Sequence, residues 1–502
     1  MTARRLPRFA ALLAAALLLP AFALAQGPEA AAPQGEEQLL AAMHGISSHA
    51  LLGYVRGMAD PKYKGRLTGT PEYDAVAGWT AALMAGWGIR PAGDGGTWLQ
   101  QFPNPYTLVL PGAKYVLHVP AGRETIDRPY VLEDEFFPGS TSDSGTITAE
   151  VVYVGYGVTA PELDYDDYAG VDVKGKIVLM EPEVPVTPGE DPARFKAWRP
   201  YSFHDYKVKN AAGHGAAGMV YNYPIANPNV VFVKGFGWTA IGARAVEDLF
   251  AGSGRRHDDL VKGIRATLVP ASFATGRTVT IANVTEHHPE GVGSNVIGWI
   301  EGRDPDLKHE AILVGAHLDH LGRNPELMPG AHDNASGVAV MLGAAEALAT
   351  GKVPLRRSVV FVAFGAEEQG VRGAEYYVAH PFIPNAKTVA MLNLESVGRG
   401  ETIHAGAAAN FPRLREAIER ANNKYIHRKV TSSRNANLAR PRQDAAHFLW
   451  AGVPTVSFGT AGEKPAPYPT YHTTHDGVDL ITPEIMEDLS QLLFLTVVDL
   501  AR

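Results

Sequence analysis

The sequence of 502 residues contains no cysteine. This absence excludes disulfide bonds, thiolate metal ligands and a cysteine nucleophile. Any transition metal must therefore be held by His, Asp and Glu side chains. A basic surplus is lacking too, since 53 Asp and Glu outweigh 45 Lys and Arg and give a formal net charge of −8. We therefore expect neither nucleic acid nor an anionic membrane surface as the main partner.

The apolar run at residues 9–19 is too short for a typical membrane span, which needs about 20 residues. It follows a segment with three Arg and precedes Ala-Leu-Ala at residues 23–25, which is the pattern of a cleaved signal peptide. We predict a signal peptide over residues 1–25 and a flexible leader over residues 26–35. The mature protein is then secreted or periplasmic, without stable membrane association. An uncleaved anchor is the alternative.

The length exceeds that of one ordinary core, so we expect two domains. Apolar β runs occupy residues 311–314, 358–364, 389–394 and 455–458. They alternate with helical patterns at residues 336–350, 374–380, 412–424 and 483–500. This alternation predicts an α/β domain with a mostly parallel or mixed sheet and helices on both faces. We assign residues 36–127 and 273–502 to it, and residues 128–272, with short β runs between Gly- and Pro-rich connections, to a small β-rich insert.

Histidine and acidic residues recur where the predicted strands end. The motifs are AHLDHLG at 316–322, HDNASG at 332–337, GAEEQG at 365–370, NLESVGR at 393–399 and YHT at 471–473. In a parallel α/β sheet, ligands bind outside the carboxyl ends of the strands. Two His and three carboxylates in these motifs would form a ligand set that suits zinc far better than calcium or magnesium.

These motifs resemble those of the zinc-dependent exopeptidase family of bacterial leucyl-type aminopeptidases and glutamate carboxypeptidases. The insert resembles a protease-associated (PA) domain, notably in VYVGYG at 152–157 and VKGKIV at 173–178. The resemblance covers nearly all of the predicted mature chain. It implies two zinc ions and peptide substrates.

The resemblance also implies a role for each motif residue. The implied metal ligands are His317, Asp333, Glu368, Glu395 and His472, with Asp333 bridging both ions. The other implied functional residues are Glu367 as general base, Tyr471 as a stabiliser of the oxyanion, and Asp319 as the acid that orients His317. A cis peptide bond between Asp333 and Asn334 is implied as well. We assign supporting roles to His320 and His332, which neighbour ligands.

Two positions depart from the family pattern. The family usually has Asp where this chain has Glu395, which is one methylene longer and keeps the charge. We still expect Glu395 to bind zinc with altered reach, and a site with a single zinc ion is the alternative. In the loop that shapes the specificity pocket, Asp444 is kept but Ala445 replaces the His that often follows it.

Together these observations predict an exported di-zinc metallo-exopeptidase, most simply an aminopeptidase. A carboxypeptidase or dipeptidase is the first alternative, and an Arg or Lys cluster that receives a substrate carboxylate would distinguish it. A non-catalytic receptor-like ectodomain would lack metal ligands, whereas all five positions here keep them. A single-zinc glutaminyl cyclase relative would lack the PA insert. We expect the insert to cover part of the active-site mouth; the oligomeric state is left open.

Overall fold

The computed structural model describes residues 34–434, 442–462 and 469–502. The predicted signal peptide lies outside these residues, as does the predicted leader except for its last two residues, which begin the helix Gln34–His44. None of the helices in the described part of the chain combines the length and the apolar character that a membrane span requires.

The main sheet has nine strands in the described residues. Ala311–His317 lies between Ser358–Phe364 and Thr388–Leu394 and runs parallel to both, and Thr455–Ala461 pairs in parallel with Thr388–Leu394. The other strands are Arg90–Pro91, Leu99–Pro103, Val292–Ile300, Thr402–Gly406 and Val430–Ser432, and the pairing of Val292–Ile300 with Ser358–Phe364 is antiparallel. The predicted mixed α/β sheet is therefore confirmed.

Helices cover both faces of this sheet because its strands are apolar on both sides. Successive residues of Ala311–His317 belong alternately to two buried clusters, as the two-residue period of a strand requires. The first face is covered by Gln34–His44, Ser48–Met58, Pro71–Gly86, Ser336–Thr350, Pro412–Ala421 and Pro483–Ala501. The second is covered by Arg372–Ala379 and Ala445–Trp450.

Most element bounds lie close to the predicted ones. Ser336–Thr350 and Ser358–Phe364 have the predicted ends, whereas Ala311–His317 is three residues longer than predicted. The strand continues through Gly315, where a Cβ atom would lie 2.5 Å from the ring of Phe364. Only glycine fits this close approach, so the glycine marks dense packing and does not end the strand. His317 is therefore the last residue of the strand.

The insert is built on a second sheet of eight strands. In spatial order they are Glu124–Pro129, Lys114–Ala121, Phe273–Asn283, Gly145–Tyr153, Ile177–Met180, Gly218–Tyr221, Gly237–Ile241 and Phe136–Pro138. Its helices are Pro192–Trp198, His204–Gly213, Ala243–Phe250 and His257–Thr267. Two short strand pairs lie outside both sheets, Tyr106–Val109 with Thr285–His288 and Thr159–Ala160 with Tyr165–Asp166.

The second sheet extends beyond the predicted insert of residues 128–272 at both ends. Lys114–Ala121 and Phe273–Asn283, which the sequence analysis assigned to the main domain, pair with each other in this sheet. Their alternating residues indicate strands, but such a pattern does not reveal which sheet a strand joins. The insert also packs against the main domain, since Leu321 and Met328 lie in the same buried cluster as Trp238.

Candidate metal centre

His317 and Glu395 lie side by side because neighbouring parallel strands deliver them to the same edge of the main sheet. His317 ends Ala311–His317, and Glu395 follows Thr388–Leu394. The Nε2 atom of His317 lies 3.4 Å from Oε1 of Glu395 and 3.2 Å from Oδ1 of Asp333. These three donor atoms form a first candidate ligand group.

A second ligand group uses the other oxygen of Asp333. The Nε2 atom of His472 lies 3.5 Å from Oδ2 of Asp333 and 3.0 Å from Oε2 of Glu368. The side chains of His317, His472, Asp333 and Glu368 are all nearly or fully buried. Asp333 therefore presents one carboxylate oxygen to each group.

Asp333 is held in this position by its own backbone. The peptide bond between Asp333 and Asn334 is cis, which confirms the implied conformation. The backbone N–H groups of His332 and Asp333 donate to the two carboxylate oxygens of Asp476, at 3.1 and 3.0 Å. The amide of Asn334 donates to the carbonyl of Leu394 at 2.8 Å, which ties this turn to the strand that leads to Glu395.

Asp319 connects the first motif to the Glu367-Glu368 pair. Its carboxylate accepts hydrogen bonds from the backbone N–H groups of Glu367 and Glu368, at 3.2 and 3.3 Å. The same carboxylate lies 3.7 Å from Nδ1 of His317, and the Asp319 carbonyl oxygen lies 3.3 Å from that nitrogen. Asp319 thus lies behind the ring of His317, on the side away from the ligand group.

The two further histidines that neighbour ligands make contacts of another kind. Nδ1 of His320 lies 2.7 Å from Oε1 of Glu368, the oxygen that does not face His472. Nδ1 of His332 accepts from the backbone N–H of Gly398 at 3.1 Å. His320 therefore orients a carboxylate, and His332 fixes a loop.

Glu367 and Tyr471 lie in a cleft of about 100 Å³ beside the two ligand groups. Burial raises the pKa of Glu367 well above its ordinary range, and the charges of Glu395 and Glu368 raise it further against the opposing effect of His317. The Tyr471 ring stacks on His472 with a centroid distance of 3.8 Å, and its side chain is 38% exposed. The insert contributes Glu183, Tyr223, Ile225 and Asn229 to the lining of this cleft.

The loop with the second departure from the family pattern lies behind the same centre. Asp444 precedes the helix Ala445–Trp450 and is fully buried. Burial raises the pKa of its carboxyl group well above the ordinary range, to which the charge of Glu395 adds. Arg442 lies at the cleft, where its guanidinium pairs with Glu183 of the insert.

The donor atoms fit zinc in both kind and spacing. Zinc bonds to nitrogen and oxygen are about 2.0–2.1 Å long, so tetrahedral geometry separates two donors by about 3.3 Å. The separations within the two ligand groups range from 3.0 to 3.5 Å. Buried atoms Nε2 of His472, Oδ1 of Asp333 and Oε2 of Glu395 also lack a hydrogen-bond partner among the described residues. Buried polar atoms usually have a hydrogen-bond partner, so these three atoms are available to bind an ion.

The sequence analysis missed three contributors to this site. Arg66 is fully buried behind the centre and donates four hydrogen bonds to backbone carbonyls. Asp476 lies in a late loop without a motif. The backbone carbonyl of Ala226 accepts from Nδ1 of His472 at 2.8 Å. None of the three lies in one of the motifs, so no side-chain pattern marked it in the sequence.

Comparison with known proteins supports the same interpretation. Residues 295–497 match the model of Peptidase family M28, and residues 147–234 match the PA domain. Aminopeptidase YwaD of Bacillus subtilis (strain 168) is 29% identical over 213 residues, which are 40% of this chain and 43% of that protein. A probable zinc metalloprotease of Pyrenophora teres f. teres is 36% identical over 113 residues, 22% of this chain and 23% of that protein. The match thus spans less than half the length of these relatives.

Solved structures share the fold over nearly the whole chain. The aminopeptidase from Aneurinibacillus sp. strain AM-1 superposes with a TM-score of 0.63 at 21% identity, covering 93% of this chain and 96% of that one. The zinc aminopeptidase BSAP from Bacillus subtilis gives a TM-score of 0.58 at 19% identity, covering 90% and 95%.

The family matches, together with the fold, place the chain in the class of zinc-dependent exopeptidases that carry an inserted second domain. Within that class, residues 295–497 carry the match to Peptidase family M28, and residues 147–234 of the insert carry the match to the PA domain.

Proposed function

We propose that this chain is an exported di-zinc aminopeptidase that hydrolyses N-terminal residues from peptides. The observation that carries the proposal is the division of the ligands into two groups that share Asp333. One ion is held by His317, Asp333 and Glu395, and the other by His472, Asp333 and Glu368. The separation of Nε2 of His317 from Oε1 of Glu395, 3.4 Å, supports Glu395 as a full ligand despite its extra methylene.

Two zinc ions held this way would lower the pKa of a shared water toward about 7 and polarise the scissile carbonyl. Glu367 is the general base in this proposal, since it lies in the cleft and is absent from both ligand groups. Its raised pKa suits a carboxylate that takes a proton and returns it to the leaving amine. The backbone of Glu367 is fixed by Asp319, which supports an orienting role for that acid.

Tyr471 is the proposed stabiliser of the developing oxyanion. Its ring lies against the ligand His472, and its side chain is partly open to the cleft. The ordinary pKa of a tyrosine phenol is about 10, so the group stays a hydrogen-bond donor at neutral pH. A donor aimed at developing charge is worth about 10²–10³ in rate at comparable sites.

The charges around the cleft favour a substrate with a free amine. Glu183, Glu367 and Glu368 are among its lining residues, and the single Arg of that lining, Arg442, is paired with Glu183. The described lining residues thus include no Arg or Lys cluster that would receive a substrate carboxylate. The similarity to aminopeptidase YwaD and to the aminopeptidase from Aneurinibacillus sp. strain AM-1 supports the same choice.

Export completes the proposal. It rests on the signal-peptide pattern of residues 1–25, which lie outside the described residues.

The test compares Glu367→Gln with Glu375→Gln, which carries the same change at an exposed position of the helix Arg372–Ala379. We expect Glu367→Gln to lose about 10²–10⁴-fold in turnover while keeping its zinc, because it removes proton transfer and no ligand. Glu375→Gln should match the wild type. Metal analysis should give two zinc per chain, and a chelator should abolish activity. An active Glu367→Gln variant contradicts the assigned base, and equal cleavage of free and N-acetylated peptides contradicts the aminopeptidase proposal.

A further inference from the structure

One metal ligand of the main domain is oriented by the insert. Nδ1 of His472 lies 2.8 Å from the carbonyl oxygen of Ala226, which is 246 residues earlier in the chain. Ala226 lies in the insert between the strands Gly218–Tyr221 and Gly237–Ile241. Both residues are buried, with 1% of Ala226 and 5% of His472 exposed. Water therefore has little access to this hydrogen bond.

A carbonyl oxygen can only accept, so this contact places a proton on Nδ1 of His472. Nε2 is then the unprotonated nitrogen, and it faces Asp333 and Glu368. A partner on the far ring nitrogen fixes both the tautomer and the direction of a metal-binding histidine. His317 differs, because its Nδ1 faces Asp319 of the main domain.

The segment around Ala226 is anchored through one buried hydroxyl. Oγ of Ser140 accepts from the backbone N–H of Asn227 at 3.1 Å and from the side-chain amide of Asn324 at 2.6 Å. Ser140 and Asn227 belong to the insert, whereas Asn324 lies in the main domain, shortly after the AHLDHLG motif. All three side chains are at least nine-tenths buried. Ser140 therefore fixes the Ala226 carbonyl relative to the main domain.

We propose that the PA insert is a positioning element of the metal centre: the Ala226 carbonyl sets the tautomer and direction of His472, and Ser140 holds that carbonyl in place. The insert is then required for retention of one particular zinc ion, the one shared by His472, Asp333 and Glu368. The other ion, beside His317, depends on main-domain residues alone. This inference rests on the metal-binding part of the proposed function and does not depend on the reaction.

The experiment compares Ser140→Ala with Ser142→Ala in the full-length protein. Ser142 is a matched control, because its buried Oγ also accepts from two donors, the Trp238 N–H at 3.0 Å and the Asn283 amide at 2.9 Å, both in the second sheet. Zinc-loaded protein is titrated with a chelator, and the zinc released per chain is measured. We expect Ser140→Ala to release one of its two zinc ions at a chelator concentration about tenfold lower than the wild type requires.

The second zinc ion should be retained as in the wild type, and Ser142→Ala should retain both. Ser140→Thr, which keeps the hydroxyl, should restore retention. Asn324→Ala, which removes the main-domain donor, should weaken the binding of the same zinc ion. This variant replaces Ser140→Ala in the test if Ser140→Ala fails to fold. The inference is overturned if Ser140→Ala binds both zinc ions equally weakly. It is also overturned if Ser140→Ala and Ser142→Ala release zinc at the same chelator concentration. Wild-type protein that holds two zinc but cleaves no peptide overturns the proposed function alone, and protein that holds no zinc overturns both.

Discussion

The buried guanidinium of Arg66 gives the sharpest prediction about stability. Its side chain has no exposed surface. It donates to four backbone carbonyls at 2.7–3.3 Å, those of Leu318, Met58, Pro329 and Gly330. Three of these residues adjoin the motifs that carry His317 and Asp333. One cation thus holds together the loops that shape the metal centre.

The electrostatic setting supports the same role. Burial lowers the pKa of Arg66 to about 10, while the charges of nearby carboxylates oppose that effect. These carboxylates belong to Asp319, Asp476, Asp333 and Glu368. The guanidinium therefore stays charged at neutral pH and offsets part of the negative charge of the site.

Arg66→Met keeps much of the side-chain volume but removes the charge and every donor. Each hydrogen bond to a charged group contributes about 1.5–3 kcal/mol to stability. The full loss of four such bonds would lower the free energy of unfolding by more than a folded protein usually tolerates. Local relaxation and water entry reduce the loss, and removal of one partner from a buried charged network typically costs about 3–5 kcal/mol. We expect a loss of that size in the free energy of unfolding.

The assay is denaturant-induced unfolding of metal-free protein, with Arg90→Met as the control. Arg90 is half exposed and pairs with Glu301 at 2.8 Å, so its loss should cost at most about 1 kcal/mol. Arg66→Lys keeps the charge but offers three donors from a single point, so we expect it to fall between Arg66→Met and the wild type. If Arg66→Met destabilises the protein no more than Arg90→Met does, the argument that this buried cation organises the site is refuted.

Two further predictions concern the proposed metal ligand Glu395, which departs from the family pattern, and a charged pair in the insert. Glu395→Ala should leave the ion beside His317 with two protein donors, fewer than the three or four that zinc sites use. Metal analysis should therefore find one zinc per chain, and two retained zinc ions would contradict the assignment. In the insert, burial disfavours the charged form of His257, but the hydrogen bond and charge of Glu181 at 2.7 Å outweigh burial and raise the pKa of the histidine. The pair therefore stabilises the fold fully below about pH 6.5, and this contribution disappears as pH rises through the raised pKa. His257→Gln should cost at most about 1 kcal/mol more at pH 6 than at pH 9, measured by thermal unfolding, and a pH-independent loss would contradict the pairing.

The main elements of the fold were predictable because local patterns determine them. The apolar run Ser358–Phe364 and the helix Ser336–Thr350 have the bounds that their hydrophobic patterns indicate. The strand Ala311–His317 was predicted too short, because Gly315 suggests the end of a strand in the sequence. In the structure the same glycine is a position of close packing within the strand. The ends of the insert could not be placed, because the pairing of Lys114–Ala121 with Phe273–Asn283 joins segments more than 150 residues apart.

The candidate ligands were predictable for a related reason. His317 and Glu395 follow apolar strands of one parallel sheet, and such strands place their carboxyl ends at one edge. By contrast, the interaction of His472 with Ala226 involves a backbone carbonyl, which every residue has and which no side-chain pattern marks. The importance of Arg66 was hidden in the same way, since all four of its acceptors are backbone atoms.

The sequence by itself determined which side chains can bind metal and which strands carry them, because ligand chemistry and hydrophobic periodicity are properties of local sequence. The tertiary structure alone decided that Asp333 turns one oxygen to each ligand group. It also decided that the insert completes the surroundings of His472 and that one buried arginine supports the loops behind the site. These features depend on distances between segments far apart in the chain, and such distances are set by packing, which the linear order of residues does not record.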